Sequence, residues 1–365
     1  VLDPIFLEDF KQTINDHDSY LINRYSDFNG VNKWNLICSA KDWLHVSVYG
    51  ISFINLNHEN DDARSLNVLQ YIMALDLIVQ AIKQLFRVIL NKDSYPLERD
   101  KTVFNRVVTD DDHFIQIRAC FAAHPVNLNS TDGTKGNKEK FFASWSSNSS
   151  GEDAYIVYLY SNKPGEQPHP FSINLHEIYV YAKMRYELLN ELIALIEKEK
   201  ELFVERYKIK TIQKVQEPIE QLRILYTENI ERIAEGDGYE FEILTLLSLY
   251  NAPQNFHGED SSLYNDFLAS LGDLINDIFE NLQTMKFENL SHAHLLHPKR
   301  KNYKEISYDI TKIFEYIFNP TYSSSLLEHH ISQLVKKGLL PSYANSQTNK
   351  QDLHLMILTR MNKTW

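Results

Sequence analysis

Between Ser65 and Leu90, apolar residues recur at helical spacing. Leu66, Leu69, Ile72, Met73, Leu75, Ile78, Ile82, Leu85, Phe86 and Ile89 form a broad apolar face. So wide a face suits a helix packed between several others, not one lying on a surface. Asp76, Gln80, Lys83, Gln84 and Arg87 interrupt the run, which therefore falls short of the roughly 20 predominantly apolar residues that cross a bilayer. A chain built round this element is expected to be mainly α.

The flanking segments extend that expectation. Residues 2–27 read as an amphipathic helix opened by Asp3-Pro4, an acidic cap followed by a first-turn proline. Residues 43–56, WLHVSVYGISFINL, are rich in β-branched and aromatic side chains and predict one or two short strands, with Gly50 as an interruption. Asp110, Asp111 and Asp112 favour the start of a short helix, because carboxylates satisfy the free N–H groups and the positive end there. That helix should end at His124, since Pro125 disfavours the α conformation before it. AYIVYLY (154–160) and FSINL (171–175) read as a hairpin with a long loop, and KFFASW (140–145) as a segment docked on the core. A long helix is expected over 175–208, then helices over 219–235, 240–250, 262–283, 305–318 and 325–337, with a short helix or strand at the end. The resulting division is an N-terminal region over 1–60, a helical core over 61–210 and a helical C-terminal region over 211–365.

The 365 residues carry 37 Lys and Arg against 49 Asp and Glu, a net charge of -12. This excludes a globally basic nucleic-acid coat and disfavours attraction to anionic lipid, while leaving room for a local RNA site. Cys38 and Cys120 are too few for a disulfide scaffold or a four-cysteine metal site. The opening VLDPIFLEDF has neither the basic region nor the cleavage pattern of a signal peptide, so cytoplasmic residence without membrane attachment is expected.

The chemical lead lies in QIRACFAAHPVNL. Arg118 and His124 are six positions apart, about 9 Å of rise and some 120° of rotation on a regular helix. They are not stacked neighbours, but Arg118 is long enough to curl toward the helix end where His124 sits. A histidine transfers protons near neutral pH, and an arginine grips phosphate through paired, charged hydrogen bonds. Together they suit RNA cleavage without a metal or other cofactor. The 2′-hydroxyl attacks the adjacent phosphate, leaving a 2′,3′-cyclic phosphate and a 5′-hydroxyl. His124 would activate the hydroxyl or protonate the leaving oxygen, while Arg118 would hold the phosphate. One histidine does not conveniently fill both proton-transfer roles, so a second copy across a two-fold axis is mechanistically attractive.

With five residues between Arg118 and His124, the sequence resembles the HEPN superfamily, whose nuclease members carry Arg and His separated by four to six residues. The resemblance covers residues 61–210. It implies a HEPN-like helical bundle with a small β-hairpin insertion and an additional C-terminal helical region. It also implies an endoribonuclease site formed by a homodimer, in a toxin–antitoxin, antiviral (antiphage) or RNA-processing setting, with a protein regulator or antitoxin as partner. Many active members have a polar residue directly after the arginine, where this chain has Ala119. The alternative is therefore a catalytically inactive HEPN-like interaction or regulatory protein, in which Arg118 pairs with a nearby acid such as Asp111 or Asp112 and His124 caps its helix.

Other sites compete. His292, His294 and His297 could approach one another in a loop, but they lack a helical metal-binding pattern and an assigned carboxylate ligand. The adjoining Lys299, Arg300, Lys301 and Lys304 form a basic patch that could meet RNA or an acidic partner. Cys120 lies four positions before His124, a spacing compatible with a thiol–imidazole pair, yet no acyl site or oxyanion donor accompanies it. His329 and His330 read as structural or exposed. The 21 Tyr and 19 Phe fall mostly in apolar patterns and are assigned to packing.

Overall fold

The computed structural model describes residues 2–123, 128, 139–145, 154–234, 236–254, 256, 260–298, 300–319, 321 and 325–363, with side chains for all of these except 122, 123 and 300–302. Within them the chain is mainly helical, with one small antiparallel sheet, and it divides into two compact units, Val1–Lys200 and Glu201–Trp365.

In the first unit, α1 (Ile5–Asp16) and α2 (Asp18–Tyr25) occupy the stretch that reads as one helix, broken at His17. The next element, α3 (Trp34–Gly50), corrects the expectation of strands over 43–56. Ile37, Ala40, Leu44, Ser47 and Val48 recur at helical spacing and are buried, and α3 packs on α4 (Asp61–Leu90). Packing against a neighbouring helix overrides the modest β preference of VSVYG.

Helix α4 is the axis of the unit. Asn60 caps it by accepting a hydrogen bond from the Ala63 N–H at 2.9 Å, and Asp61 and Asp62 occupy its positive end. Asn91 ends it in the left-handed conformation, with φ at 51°, which asparagine tolerates better than most residues. Val68, Ile72, Leu75, Ile78, Val79, Ile82, Leu85 and Phe86 are completely covered. Truncating one of them, as in Ile72→Ala, would cost about 2–5 kcal/mol through lost burial and the cavity left behind.

Helix α5 (Asp110–Arg118) begins at Thr109, whose hydroxyl accepts from the Asp112 N–H at 3.1 Å. It continues into a π-helical turn over Ala119–Ala123. The sheet has order β1-β2-β3: β1 (Phe141–Trp145), β2 (Ala154–Ser161) and β3 (His169–Asn174). Phe141 pairs with Ser161, and Leu159 with His169, both ladders antiparallel. The expected hairpin is thus β2–β3, and KFFASW adds a third strand to it. Val157, Leu159, Phe171 and Ile173 alternate onto the buried face. Phe121 meets Trp145 edge-on at 5.3 Å and lies 6.2 Å from Phe171, joining the π turn to the sheet.

The predicted 175–208 helix is two helices, α6 (Leu175–Tyr186) and α7 (Leu189–Ile209). Between them, Leu188 donates to the Arg185 carbonyl and Asn190 to that of Glu187, tightening one turn to 3₁₀ spacing. The boundary between the units falls within α7.

The second unit contains α8 (Pro218–Arg232), α9 (Glu240–Tyr250), α10 (Asp260–Thr284), α11 (Ser307–Phe318), α12 (Leu327–Lys336) and α13 (Lys350–Lys363). These lie close to the helices expected from sequence. Leu222, Leu246, Leu271, Ile278, Ile310, Leu334 and Leu355 belong to one continuous core. Helix α13 runs through it, with every residue from Asp352 to Thr359 buried. Among the described residues, no helix is long and apolar enough to cross a membrane.

Candidate functional site

The cap at Thr109 and the acidic first turn fix where α5 starts, and nine residues later the helix delivers Arg118 to the flank of α4. There its Nη1 donates to Oδ2 of Asp76 at 2.9 Å. Asp76 is 5% exposed, and its other oxygen accepts from Gln80 Nε2 at 3.2 Å, one turn along the helix. The arginine is held at one end only. Its side chain is 32% exposed, and its buried Nε has no hydrogen-bond partner. A planar five-donor group anchored through one nitrogen keeps donors for a second acceptor such as phosphate. The second half of the motif, His124, lies outside the described residues.

Asp111 and Asp112 are not the partners of Arg118. Asp112 bonds the Thr109 hydroxyl at 2.8 Å and stays at the cap. Asp111 is the hub of a separate cluster. It accepts from Lys83 Nζ at 2.7 Å, from the hydroxyls of Tyr95 and Tyr181, and from Arg185 Nε at 3.0 Å. Burial alone would raise the Asp111 carboxyl, but Lys83 and the tyrosine hydroxyls outweigh it and hold the group below its ordinary value. Arg185 is 0% exposed and also donates to the carbonyls of Tyr181 and Leu97. Such a network ties α4, α5 and α6 together.

Neighbouring groups are less suited to chemistry. Cys120 is buried, and that burial pushes its thiol up to about 12 although Gln116 donates to its Sγ at 3.4 Å. A thiol in that state is not a nucleophile near neutral pH. His113 is buried beside Phe104 and Phe171, and burial, with Arg106 nearby, lowers it to about 4.

In the second unit, His292 Nδ1 lies 2.9 Å from Asp277, whereas His297 stacks on Phe241 and stands 3.8 Å from Glu242. His292 and His297 are thus set against different carboxylates, and the His294 ring lies 6.2 Å from that of His292. Among the described residues, no three His, Cys, Asp or Glu side chains are grouped to hold a metal ion. His330 is buried against Asp309 at 2.7 Å and is structural, while Lys304 is exposed. Lys299 and the side chains of Arg300 and Lys301 lie outside the description.

Sequence reasoning missed Asp76 as a site residue. Its signal was present, since a lone carboxylate inside an apolar helical face needs a cation or donors to be tolerated there. No family model, curated protein or solved structure matches this chain.

Proposed function

We propose that the first unit is a HEPN-like, metal-independent endoribonuclease in which Arg118 and His124 act on the scissile phosphate. The observation that carries this reading is the state of Arg118. A structural arginine is normally satisfied on all sides, whereas this one is anchored by Asp76, itself held by Gln80, and its Nε is left without a partner. In the reaction, Arg118 binds a non-bridging phosphate oxygen and stabilises charge as the 2′-oxygen attacks. His124 moves the proton, either from the 2′-hydroxyl or to the departing 5′-oxygen. A second copy of the chain supplies the other histidine, so the active species is a homodimer. Control by a protein regulator or antitoxin fits an activity that must be restrained.

One observation favours the second reading, an inactive HEPN-like interaction or regulatory protein. The Asp76 carboxylate neutralises part of the charge that Arg118 would bring to a phosphate.

The test is cleavage of diverse structured and single-stranded RNAs by the purified chain in excess EDTA, with Arg118→Ala and His124→Ala in parallel. The expected result is wild-type cleavage that yields cyclic-phosphate ends and falls by about 100-fold or more in each variant. Cleavage that survives both substitutions, or a chain that is strictly monomeric while active, overturns the mechanism.

A further inference from the structure

The five polar residues that interrupt the apolar run of α4 do not scatter. Asp76, Gln80, Lys83, Gln84 and Arg87 are spaced by four, three, one and three residues, which places them within one side of the helix. Asp76 and Gln80 hold the Arg118 end of that side. Farther along, Gln80 and Gln84 line a cavity of about 250 Å³ between α3 and α4, flanked by Trp43. Gln84 and Leu36 also line a second cavity of about 480 Å³, bordered by Lys33, Arg87 and Lys92. The shared lining makes one groove along the α3–α4 seam. From Leu77 to Arg87 it follows α4 for about 15 Å, and Gln80 links it to Asp76 and so to the Arg118 end.

The chemistry changes along the groove. At the far end three cations face one carboxylate, Asp93, which Arg87 Nε engages at 2.9 Å. Lys33 donates to the Asn91 side chain at 2.9 Å, and its Nζ also lies 3.8 Å from the centre of the Phe28 ring. This cationic excess stands out in a chain of net charge -12. At the near end Trp43 borders the cavity and is 50% exposed. Between them Gln80 and Gln84 line the groove with amide groups.

We infer that the α3–α4 groove is a binding track for single-stranded RNA, with Trp43 stacking a base and Lys33, Arg87 and Lys92 holding backbone phosphate away from the Arg118 end. Cations matched to phosphate together with an aromatic platform are what binding of an unpaired strand requires. The choice of polymer rests on the ribonuclease reading of Arg118, and the track adds which strand the site accepts and by which route. It also accounts for local attraction without a basic surface overall.

The test uses the full chain and a fluorescein-labelled 2′-O-methyl oligouridylate, which cannot be cleaved, so binding is read separately from activity. The Lys33→Ala/Arg87→Ala/Lys92→Ala variant should bind about tenfold more weakly or worse, and its log Kd against log salt slope should be shallower by about 2. Trp43→Ala should weaken binding by about fivefold or more with little change in that slope. All four side chains border the groove instead of filling the core, and an unchanged circular dichroism spectrum and Tm confirm that each variant folds. Variants that bind like wild type, or a wild type that binds an acidic peptide as tightly as the oligonucleotide, overturn the track. If the variants lose binding but the wild type cleaves no RNA, the track stands and the catalytic reading fails. If the wild type cleaves while the variants bind and cleave normally, catalysis stands and the track falls.

Discussion

Among the arginine–aspartate pairs of the first unit, those of Arg185 and Arg118 resemble one another on paper and differ in kind. Arg185 has no exposed surface, and its nitrogens are taken up by Asp111, Tyr95 and the carbonyls of Tyr181 and Leu97. Arg118 is a third exposed, bonded to Asp76 through Nη1, with its buried Nε unpartnered. A pair that saturates its donors stabilises one arrangement of helices and offers nothing to a ligand. A pair that fixes a guanidinium while leaving donors unused positions a group for something else. Position in sequence does not separate the two cases, because Asp111 lies closer to Arg118 along α5 than Asp76 does.

The strongest way to break the comparison is to remove the hub. Asp111→Ala would leave Arg185 buried beside Lys83 with no carboxylate, a loss of about 3–5 kcal/mol in the free energy of unfolding. Urea denaturation of wild type and variant measures it. A cost below about 1 kcal/mol would mean that the cluster is not what fixes α5 and α6 on α4, and Arg185 would then be no more structural than Arg118.

His354 extends the comparison to a polar group left short altogether. It lies on α13 against Phe314 and Phe318, 2% exposed, with no partner for Nδ1. Burial lowers it from 6.5 to about 4, so the folded state keeps it neutral where the unfolded chain takes up a proton. Unfolding therefore becomes easier as pH falls through 6.5, and the loss levels off near 4, where the folded protein also protonates. The contribution is about 3 kcal/mol across that window. His113, also lowered to about 4, adds to the same fall. His354→Phe should flatten the wild-type decline in stability between those two values, and an unchanged slope would assign the decline to other groups.

Much of this was legible in the sequence, for reasons that can be named. The periodicity of α4 and the proline and glycine breaks of the second unit gave helices close to their observed bounds, because burial of one face dictates both. The stretch at 43–56 misled because β-branched content reports a weak preference that α4 overrides by offering a surface for Ile37, Leu44 and Val48. Arg118 was visible as half of a motif, but its anchor was not, since Asp76 is 42 residues away and only the α4–α5 contact brings them together. The same five interruptions that argued against a membrane span turned out to form one side of a helix. Their spacing carried that information, and α3 had to be placed before it could be read as a groove.

Asp76→Asn separates the anchoring role of the pair from its contribution to stability. The amide keeps the shape and one hydrogen bond to Arg118 but loses the charge, at a cost of about 1 kcal/mol at neutral pH. If Asp76 positions the arginine, RNA cleavage falls by up to about 100-fold through kcat, because a loosened guanidinium no longer meets the phosphate in register. Cleavage that rises instead would show the carboxylate to be a restraint on Arg118, which is what the regulatory reading expects.

The smallest effect should come two residues beyond Arg118. Cys120 points to the covered side of the same segment, 1% exposed, with Gln116 donating to its sulfur and burial holding its thiol at about 12. If residues 118–120 have one working face and one packing face, Cys120→Ala should cost about 1 kcal/mol for the lost sulfur and leave RNA cleavage within about twofold of wild type. Iodoacetamide at mildly alkaline pH should label Cys38, which is only partly buried, well before Cys120. Rapid labelling of Cys120 in the folded protein would show that the covered side opens. The contrast between a packed face and a working face at the end of α5 would then no longer hold.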